Sequence, residues 1–355
     1  MKLCLGLMLS FLASTVCAQK DSTKILTFSG YAELYYSQDF DQFVDEEKPN
    51  FIYNHKKLGA INMNLAFIKA NYAARKLRGN LALMAGNYAR YNLSSEPAWA
   101  RIIYEANIGL KLSKSRNIWF DGGVMPSHIG FESAIGADCW TLTRSLLAEN
   151  SPYFETGVKL STVSKNEKWN IAFLVLNGWQ KIKMPEGIRK PSFGFQLNYK
   201  PNSNITLNYS NFLGSDRPDS LNSVRIFHNL FAQVQASRNL GFIMGFDIGS
   251  DKNRSSKRNI WYSPVVISRL KINEKNFFAA RIEYYKDPEE TIVSTNTING
   301  FETFGYSLNY DYQLSEKMLF RMEAKKYHSK DAIFHSRETS SNQNFSLTTA
   351  LTLKL

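Results

Sequence analysis

The chain has 355 residues, of which 44% are hydrophobic, 14% aromatic and 21% charged, and this composition excludes an intrinsically disordered protein. No segment after residue 20 contains the roughly 18 consecutive apolar residues that a membrane-spanning helix requires, so a helical membrane protein is also excluded. The formal net charge is +12, but the lysines and arginines are spread along the chain, and we expect no nucleic-acid partner.

The amino terminus predicts export from the cytoplasm. Lys2 precedes an apolar stretch over residues 3–16, and Val16 and Ala18 occupy the two positions that a signal peptidase recognises. We therefore expect residues 1–18 to be a cleaved signal peptide and residues 19–355 to form one domain. Loss of Lys2 lowers the net charge from +12 to +11. Only Cys139 then remains of the three cysteines, which excludes an internal disulfide.

The dominant pattern after the amino terminus is a strict alternation of apolar and polar residues, which predicts β-strands with one apolar face. Leu65, Leu83 and Phe195 fall on this apolar face, whereas Asn62 and Ser192 fall on the opposite one. Taken in chain order, the sixteen predicted strands begin near residues 24, 59, 77, 101, 117, 154, 167, 191, 203, 224, 239, 258, 276, 300, 316 and 343.

The connections between these strands alternate between tight polar turns and loops of roughly 9 to 27 residues. Alternation suits both a soluble sandwich and a membrane barrel, but strands of nine to eleven tilted residues are the length that a bilayer demands. A sheet in lipid must close, because an open edge would leave backbone groups unpaired. The sequence therefore predicts a transmembrane antiparallel up-and-down β-barrel of about 16 strands in a bacterial outer membrane, with short periplasmic turns and long extracellular loops.

Two tryptophans support a bilayer-spanning strand. Trp169 and Trp179 share one parity and lie ten residues apart, which corresponds to about 23 Å along the membrane normal for a strand tilted by about 45°. That spacing predicts an aromatic girdle at each edge of the apolar band.

Substitutions on the two faces of the strands are expected to differ in effect. Arginine in place of Leu65, Leu83 or Phe195 on the apolar face is expected to impair membrane insertion, whereas arginine in place of Asn62 or Ser192 on the polar face should be tolerated.

Several segments of the chain carry a family resemblance. They are FSGYAELYY at 28–36, MPSHIGFES at 125–133, TRSLLAENSPYFETGVKLS at 143–161, LNGWQKI at 176–182 and RIEYYKDPEE at 281–290. With these segments the chain resembles the OmpL-like β-barrel porins of Bacteroidetes outer membranes over nearly all of its predicted mature length. The resemblance implies a fold and a location rather than a particular solute. The carboxyl-terminal residue departs from the aromatic one common in such barrels, since it is Leu355.

A sixteen-stranded barrel encloses a water-filled lumen, so the inward side chains are candidates for tuning permeation. The basic ones predicted here are Arg78, Arg90, Arg101, Lys111, Lys159, Arg225, Arg269, Lys271, Arg281, Arg321, Lys325 and Lys354. The acidic ones are Glu33, Glu105, Asp121, Glu155, Asp247, Glu283 and Glu323. Twelve against seven leaves five more positive charges, which predicts a weak preference for anions. Cross-strand ion pairing that holds the wall in shape is the alternative role for each of these residues.

The longest loop, residues 126–152, is too apolar for a solvated connection. It either folds into the lumen as a constriction, with Glu132, Asp138, Arg144 and Glu149 at the narrowing, or packs as a lid on the outer rim. We favour the constriction, because its apolar side chains need a wall to pack on and exposing them at the cell surface is costly.

These observations predict a porin through which small hydrophilic solutes diffuse passively among outer-membrane lipids, with no cofactor, no metal and no enzymatic activity. His128 beside Ser127 has no nucleophile-elbow pattern around it, and no two histidines or cysteines of the predicted mature chain have metal-ligand spacing. The main alternative is a barrel with a plugged lumen that serves as a surface anchor or adhesin scaffold. The oligomeric state stays open.

Overall fold

A computed structural model describes residues 25–40, 46–252, 258–335 and 340–355. The predicted signal peptide lies outside these residues. The strands in chain order are β1 (Leu26–Asp39), β2 (Ile61–Ala73), β3 (Leu77–Ala85), β4 (Ile103–Lys111), β5 (Asn117–Pro126), β6 (Phe154–Val163), β7 (Trp169–Leu176), β8 (Ser192–Asn202), β9 (Ile205–Gly214), β10 (Val224–Gln235), β11 (Leu240–Lys252), β12 (Arg258–Lys271), β13 (Asn276–Asp287), β14 (Phe301–Gln313), β15 (Met318–Ser329), β16 (Phe334–His335), β17 (Ser340–Ser341) and β18 (Gln343–Lys354).

Sixteen of these strands form one closed antiparallel barrel. The strands β16 and β17, of two residues each, pair only with each other. Each barrel strand pairs with its neighbours along the chain, and β1 closes the ring against β18 from Tyr31↔Lys354 to Asp39↔Ser346. Closure leaves no unpaired strand edge, as a bilayer requires. The predicted fold class is confirmed, and the sixteen predicted starting points each fall within a few residues of a barrel strand.

The two rims of the barrel differ. Tight turns follow the even-numbered strands up to β14 and form the short-turn rim. The first residue of β1 and the last residue of β18 lie at the same rim. The other connections form the long-loop rim, which carries the helices α1 (Asn87–Asn92) and α2 (Leu146–Glu149). One predicted long loop is wrong: β11 and β12 stay paired as far as Lys252↔Arg258, which leaves only residues 253–257 between them. Within the described residues no helix is long and apolar enough to cross a membrane.

Side chains alternate between the two faces of the wall. On β14, Leu308 is 69% exposed on the outer surface, whereas the next residue, Asn309, is 2% exposed on the inner one. Phe304 and Tyr306 share the outer face with Leu308, and Ser307 shares the inner face with Asn309. The outer surface is therefore apolar and the interior polar, as expected of a barrel surrounded by lipid.

The register shift between β1 and β2 overturns one assignment. The pairing slips between Glu33 and Leu34, so that Leu65 faces Glu33 while Met63 faces Leu34. Past this bulge the parity of β2 reverses, because an extra residue moves every later side chain to the other face. Leu65 is consequently fully buried in the interior, and Ile68 instead lies on the outer surface. Placing Leu65 on the lipid-facing side was wrong.

Adjacent residues of β6 allow a matched test of the two faces. Leu160 is 42% exposed on the outer surface, and Ser161 points inward with partial exposure. We expect Leu160→Arg to destabilise the inserted barrel by about 2–4 kcal/mol, because a charge would face hydrocarbon, and Ser161→Arg to insert normally. Refolding yield in lipid vesicles measures the difference. Equal yields for the two variants would contradict the assigned faces.

Candidate functional site: the barrel interior

The connection between β5 and β6 lies inside the barrel. We call residues 126–152 the inserted loop. The Gly130 N–H donates to Asn229 Oδ1 of β10 at 3.2 Å, and the Ala137 N–H donates to Tyr31 Oη of β1 at 3.3 Å. Because β10 and β1 lie on nearly opposite sides of the ring, the inserted loop crosses the lumen between them.

Inward-facing glycines make room for this crossing. A Cβ atom at Gly245 of β11 would lie 2.5 Å from the ring of Phe131, and one at Gly241 would lie 2.7 Å from the indole of Trp140. Such distances are far inside van der Waals contact, so a larger residue at either position would displace the loop. The two aromatic rings therefore pack directly on the backbone of β11.

A buried charge cluster holds the middle of the inserted loop against β13 and β15. The guanidinium of Arg281 lies 2.9 Å from Glu323 Oε1 and donates to Thr141 Oγ1 at 2.7 Å and to the Thr143 carbonyl at 2.8 Å. Lys325 Nζ lies 3.1 Å from Glu283 Oε1. All four charged side chains are almost completely excluded from solvent. The cluster anchors the loop, since it satisfies backbone and side-chain groups that would otherwise be buried unpaired.

A second anchor involves Arg321 of β15. Its guanidinium makes two hydrogen bonds to Asp311, at 2.7 and 3.0 Å, and donates to the carbonyls of Gly136 and Cys139 at 2.6 and 3.0 Å. Cys139 is buried and forms no disulfide with any described residue, and burial raises the pKa of its thiol. Arg321 thus ties the wall to the loop instead of facing an open lumen.

The four predicted constriction residues occupy different environments. Arg144 is fully buried and donates to the carbonyls of Ser133 and Leu142, both at 2.7 Å. Glu132 accepts hydrogen bonds from Ser145, Glu149 accepts them from the amides of residues 53 and 54, and burial raises the pKa of both carboxyl groups. Asp138 is 45% exposed and pairs with Lys354 near the short-turn rim. Of the four, only Asp138 is well exposed to water.

The loop between β1 and β2 also enters the barrel, which the sequence did not indicate. His55 Nε2 lies 2.9 Å from Glu33 Oε1, and Phe51 packs against Phe301 with ring centroids 4.6 Å apart. Burial lowers the pKa of His55 and lowers that of Lys48 to about 8. Together with the inserted loop, this segment fills part of the interior.

The remaining charged residues of the wall are mostly paired across strands. The pairs are Arg78 with Asp121 (2.6 Å), Arg225 with Asp251 (2.9 Å), Lys69 with Glu105 (2.9 Å), and Lys271 with Glu274 in the adjacent turn (2.7 Å). His128 lies 2.7 Å from Glu155 and 2.8 Å from the Asn211 carbonyl, which fixes the start of the inserted loop. Asp247 accepts from Asn229 Nδ2 at 2.6 Å. Ion pairing is thus the commoner arrangement. Alternation in the sequence did not place Lys69 on the inner face, because the bulge reverses the parity of β2.

A family model provides the comparison that decides the identity of this barrel. Residues 25–355 match the model described as "Putative beta-barrel porin-2, OmpL-like". The chain belongs to this family. It is an outer-membrane porin by family and by fold, and proteins of this family and fold are normally non-enzymatic. The predicted resemblance and the predicted location are therefore confirmed.

Solved porin structures share the fold of this porin at very low sequence identity. An anion-selective porin from Comamonas acidovorans is 10% identical with a TM-score of 0.61, and 93% of this chain and 99% of that chain are covered. The channel DcaP of Acinetobacter baumannii is 7% identical with a TM-score of 0.61, covering 93% and 97%. OmpT of Vibrio cholerae is 9% identical with a TM-score of 0.59, covering 95% and 100%. No curated protein matches the sequence significantly.

Two basic residues predicted to line the wall of the porin lie outside its strands. Arg90 belongs to α1, and Arg101 precedes β4, where it donates to the carbonyls of Glu96 and Ser94 at 2.8 and 2.9 Å. Both are exposed on the long-loop rim. The parity of β3 was extended past its last residue, Ala85, to Arg90. The parity of β4 was extended before its first residue, Ile103, to Arg101.

The second tryptophan of the predicted girdle lies inside the porin. Trp169 is 39% exposed on the outer surface and stacks on Tyr199 with ring centroids 4.0 Å apart. Trp179 instead contacts the inward-facing Phe227 at 4.8 Å, because β7 ends at Leu176 and the chain then turns over the barrel mouth. The predicted girdle role is therefore wrong for Trp179 and fits Trp169.

Two inward lysines of the porin differ from the paired charges. Lys111 of β4 and Lys159 of β6 are partly exposed, and neither forms an ion pair with any described residue. Arg269 is also partly exposed, and its nearest carboxylate, Asp311, is 3.7 Å away and already bonded to Arg321. These three residues present positive charge to the water-accessible part of the interior. Among the described residues, no cluster of acidic, histidine or cysteine side chains is suited to hold a metal ion.

Proposed function

We propose that this porin is a passive diffusion channel for small hydrophilic solutes, with a weak preference for anions. The observation that carries the proposal is the closed wall with a polar interior, narrowed by a loop that is anchored on nearly opposite sides. In this proposal the long-loop rim faces the outside of the cell, the inserted loop sets the width of the path, and no reaction takes place.

The anion preference rests on fewer residues than the alternation of the sequence predicts. Most inward charges are paired, so their fields largely cancel at the distance of a permeating ion. Lys111, Lys159 and Arg269 supply accessible positive charge, and Asp138 supplies the main accessible negative charge but is paired with Lys354. The preference is modest and weakens with rising salt, since the field is screened over about 8 Å at physiological ionic strength.

Charge reversal tests this selectivity. The double variant Lys111→Glu/Lys159→Glu is expected to move the reversal potential under a KCl gradient toward cations, because it replaces two accessible positive charges with two negative ones. The matched control is Arg90→Glu/Arg101→Glu, which makes the same charge change on the exposed rim and should leave the potential nearly unchanged. A shift with the rim variant and none with the lumen variant would contradict the proposed selectivity residues.

The second candidate function is a surface anchor with a plugged lumen. The observation that favours it is the packing of two loops inside the barrel, with the ionisable side chains of Lys48, His55, Arg144 and Glu149 buried. Single-channel recording separates the two candidates. Repeated conductance steps from the folded protein support the channel, and a folded protein without conductance supports the anchor.

A further inference from the structure

The mouth of the barrel at the long-loop rim contains a cavity of about 360 Å³, within the size range of small-molecule sites. Three aromatic side chains line it: Tyr53 from the β1–β2 loop, Tyr91 from α1 and Trp179 from the β7–β8 loop. The inserted loop contributes its last residues, including Asn150. The cavity therefore lies directly above the proposed constriction, where a solute would arrive first.

The geometry of Trp179 is fixed by its surroundings. Its backbone N–H donates to Asp216 Oδ1 at 2.8 Å, and its ring is packed edge-on against Phe212 and Phe227 at 5.1 and 4.8 Å. The guanidinium of Arg225 lies 5.0 Å from the ring centroid. A rigid, half-buried indole of this kind provides an apolar surface at low cost in conformational entropy.

Several uncharged polar groups around the cavity are incompletely paired. Asn92 and Asn150 are 7% and 8% exposed, and among the described residues Asn92 Nδ2, Asn150 Oδ1 and Thr291 Oγ1 have no hydrogen-bond partner. The indole N–H of Trp179 and the hydroxyl of Tyr53 likewise make no hydrogen bond within the described part of the chain. The unpaired atoms of Asn92, Asn150 and Thr291 are buried behind the cavity surface. The Tyr53 hydroxyl both donates and accepts and the Trp179 indole N–H donates, so a ligand that carries hydroxyl groups would pair with both.

The charges that line the cavity cancel. Glu149 and Asp216 oppose Lys181 and Arg225, two against two. Glu149 is bonded to backbone amides, Arg225 lies 3.2 Å from Asp216, and Lys181 Nζ donates to Ser95 Oγ at 2.9 Å. The site therefore offers no uncompensated charge to an ionic ligand.

We propose that this cavity binds a neutral sugar before it enters the channel. A sugar ring presents an apolar C–H face to the aromatic side chains. Its edge carries hydroxyl groups that donate and accept hydrogen bonds, which matches the Tyr53 hydroxyl and the Trp179 indole N–H. The proposal rests on the channel function and names an uncharged class among the small hydrophilic solutes.

Block of ion current by glucose and maltose tests the site on the full-length protein refolded into planar bilayers. Both sugars are expected to reduce the current in a saturable manner. Trp179→Ala should weaken the block about tenfold, because it removes the main apolar contact surface. Tyr53→Phe, which deletes only a hydroxyl, should weaken it less. The matched control is Trp99→Ala, since Trp99 is a 60% exposed tryptophan of the same rim outside the cavity.

The outcomes separate the site from the channel. A conducting protein that neither sugar blocks, a block that both site variants leave unchanged, or an equal block by inorganic phosphate would overturn the sugar site and leave the channel intact. If the folded protein does not conduct, the channel proposal fails. In that case, quenching of tryptophan fluorescence by maltose in detergent decides the site: its presence supports sugar binding, and its absence overturns it.

Discussion

Replacing residues 131–146 with a short Gly/Ser linker is expected to raise the single-channel conductance severalfold. These residues carry the rings that pack on β11 and most of the bonds to β13, β14 and β15. Without them, the lumen widens toward that of a sixteen-stranded barrel, which is large enough for an aqueous channel, while the β1–β2 loop still fills part of the interior. The replacement would expose charged side chains of the wall that the inserted loop covers. Three of them are basic and three are acidic, so the wall should still fold: Arg281, Arg321, Lys325, Asp311, Glu283 and Glu323.

The matched control for this deletion is the same linker in place of residues 217–221. That segment lies on the long-loop rim and contains the short helical turn Asp219–Leu221, none of which is buried. The conductance of this control variant should equal that of the unmodified protein. An unchanged conductance after replacement of residues 131–146 would show that the inserted loop does not limit the ion path.

Arg281→Met is expected to lower the free energy of unfolding by about 3–5 kcal/mol, since removing one member of a buried ion cluster leaves its partners uncompensated. Arg281 is completely buried, and its side chain is the nearest positive group to Glu323, with Glu283 and Glu132 at 3.6 and 3.7 Å. Release of the inserted loop should also increase the current noise of open channels. Urea-induced unfolding in detergent, followed by electrophoretic mobility without heating, measures the stability.

Arg78→Met provides the comparison for Arg281. Arg78 also pairs with a carboxylate, Asp121, but the Arg78 side chain is 39% exposed and that of Asp121 is 6% exposed. Because water screens this pair on one side, we expect Arg78→Met to lower the free energy of unfolding by less than Arg281→Met. The double variant Arg281→Met/Glu323→Met should recover part of the lost stability, because it removes a buried charge together with its partner. Equal destabilisation by Arg281→Met and Arg78→Met would contradict the anchoring role of the buried cluster.

The fold could be predicted because the apolar face of a strand repeats every two residues and because a barrel in lipid must close. The same two-residue period does not predict the position of every side chain. Leu65 was misplaced where a bulge reverses the parity of β2, and Trp179 was misplaced because it follows the last residue of β7. Alternation contains no signal for a bulge or for the exact end of a strand.

The interior could be predicted only in part. Parity placed Arg281 and Arg321 on the inner face, but it could not show that both bind the inserted loop rather than water. That contact joins residues about 140 and 185 positions apart in the chain, and sequence spacing alone does not report such distances. Besides the apolar composition of residues 126–152, the inward glycines at 194, 241 and 245 are a signal that could have indicated a loop packed on the wall.

Single-channel recording of the refolded, unmodified protein in a planar bilayer under a KCl gradient tests the central claim most directly. The proposed channel predicts repeated, stable conductance steps and a reversal potential that indicates a modest preference for chloride. No conductance in repeated reconstitutions of correctly folded protein would contradict the channel and favour the plugged surface anchor.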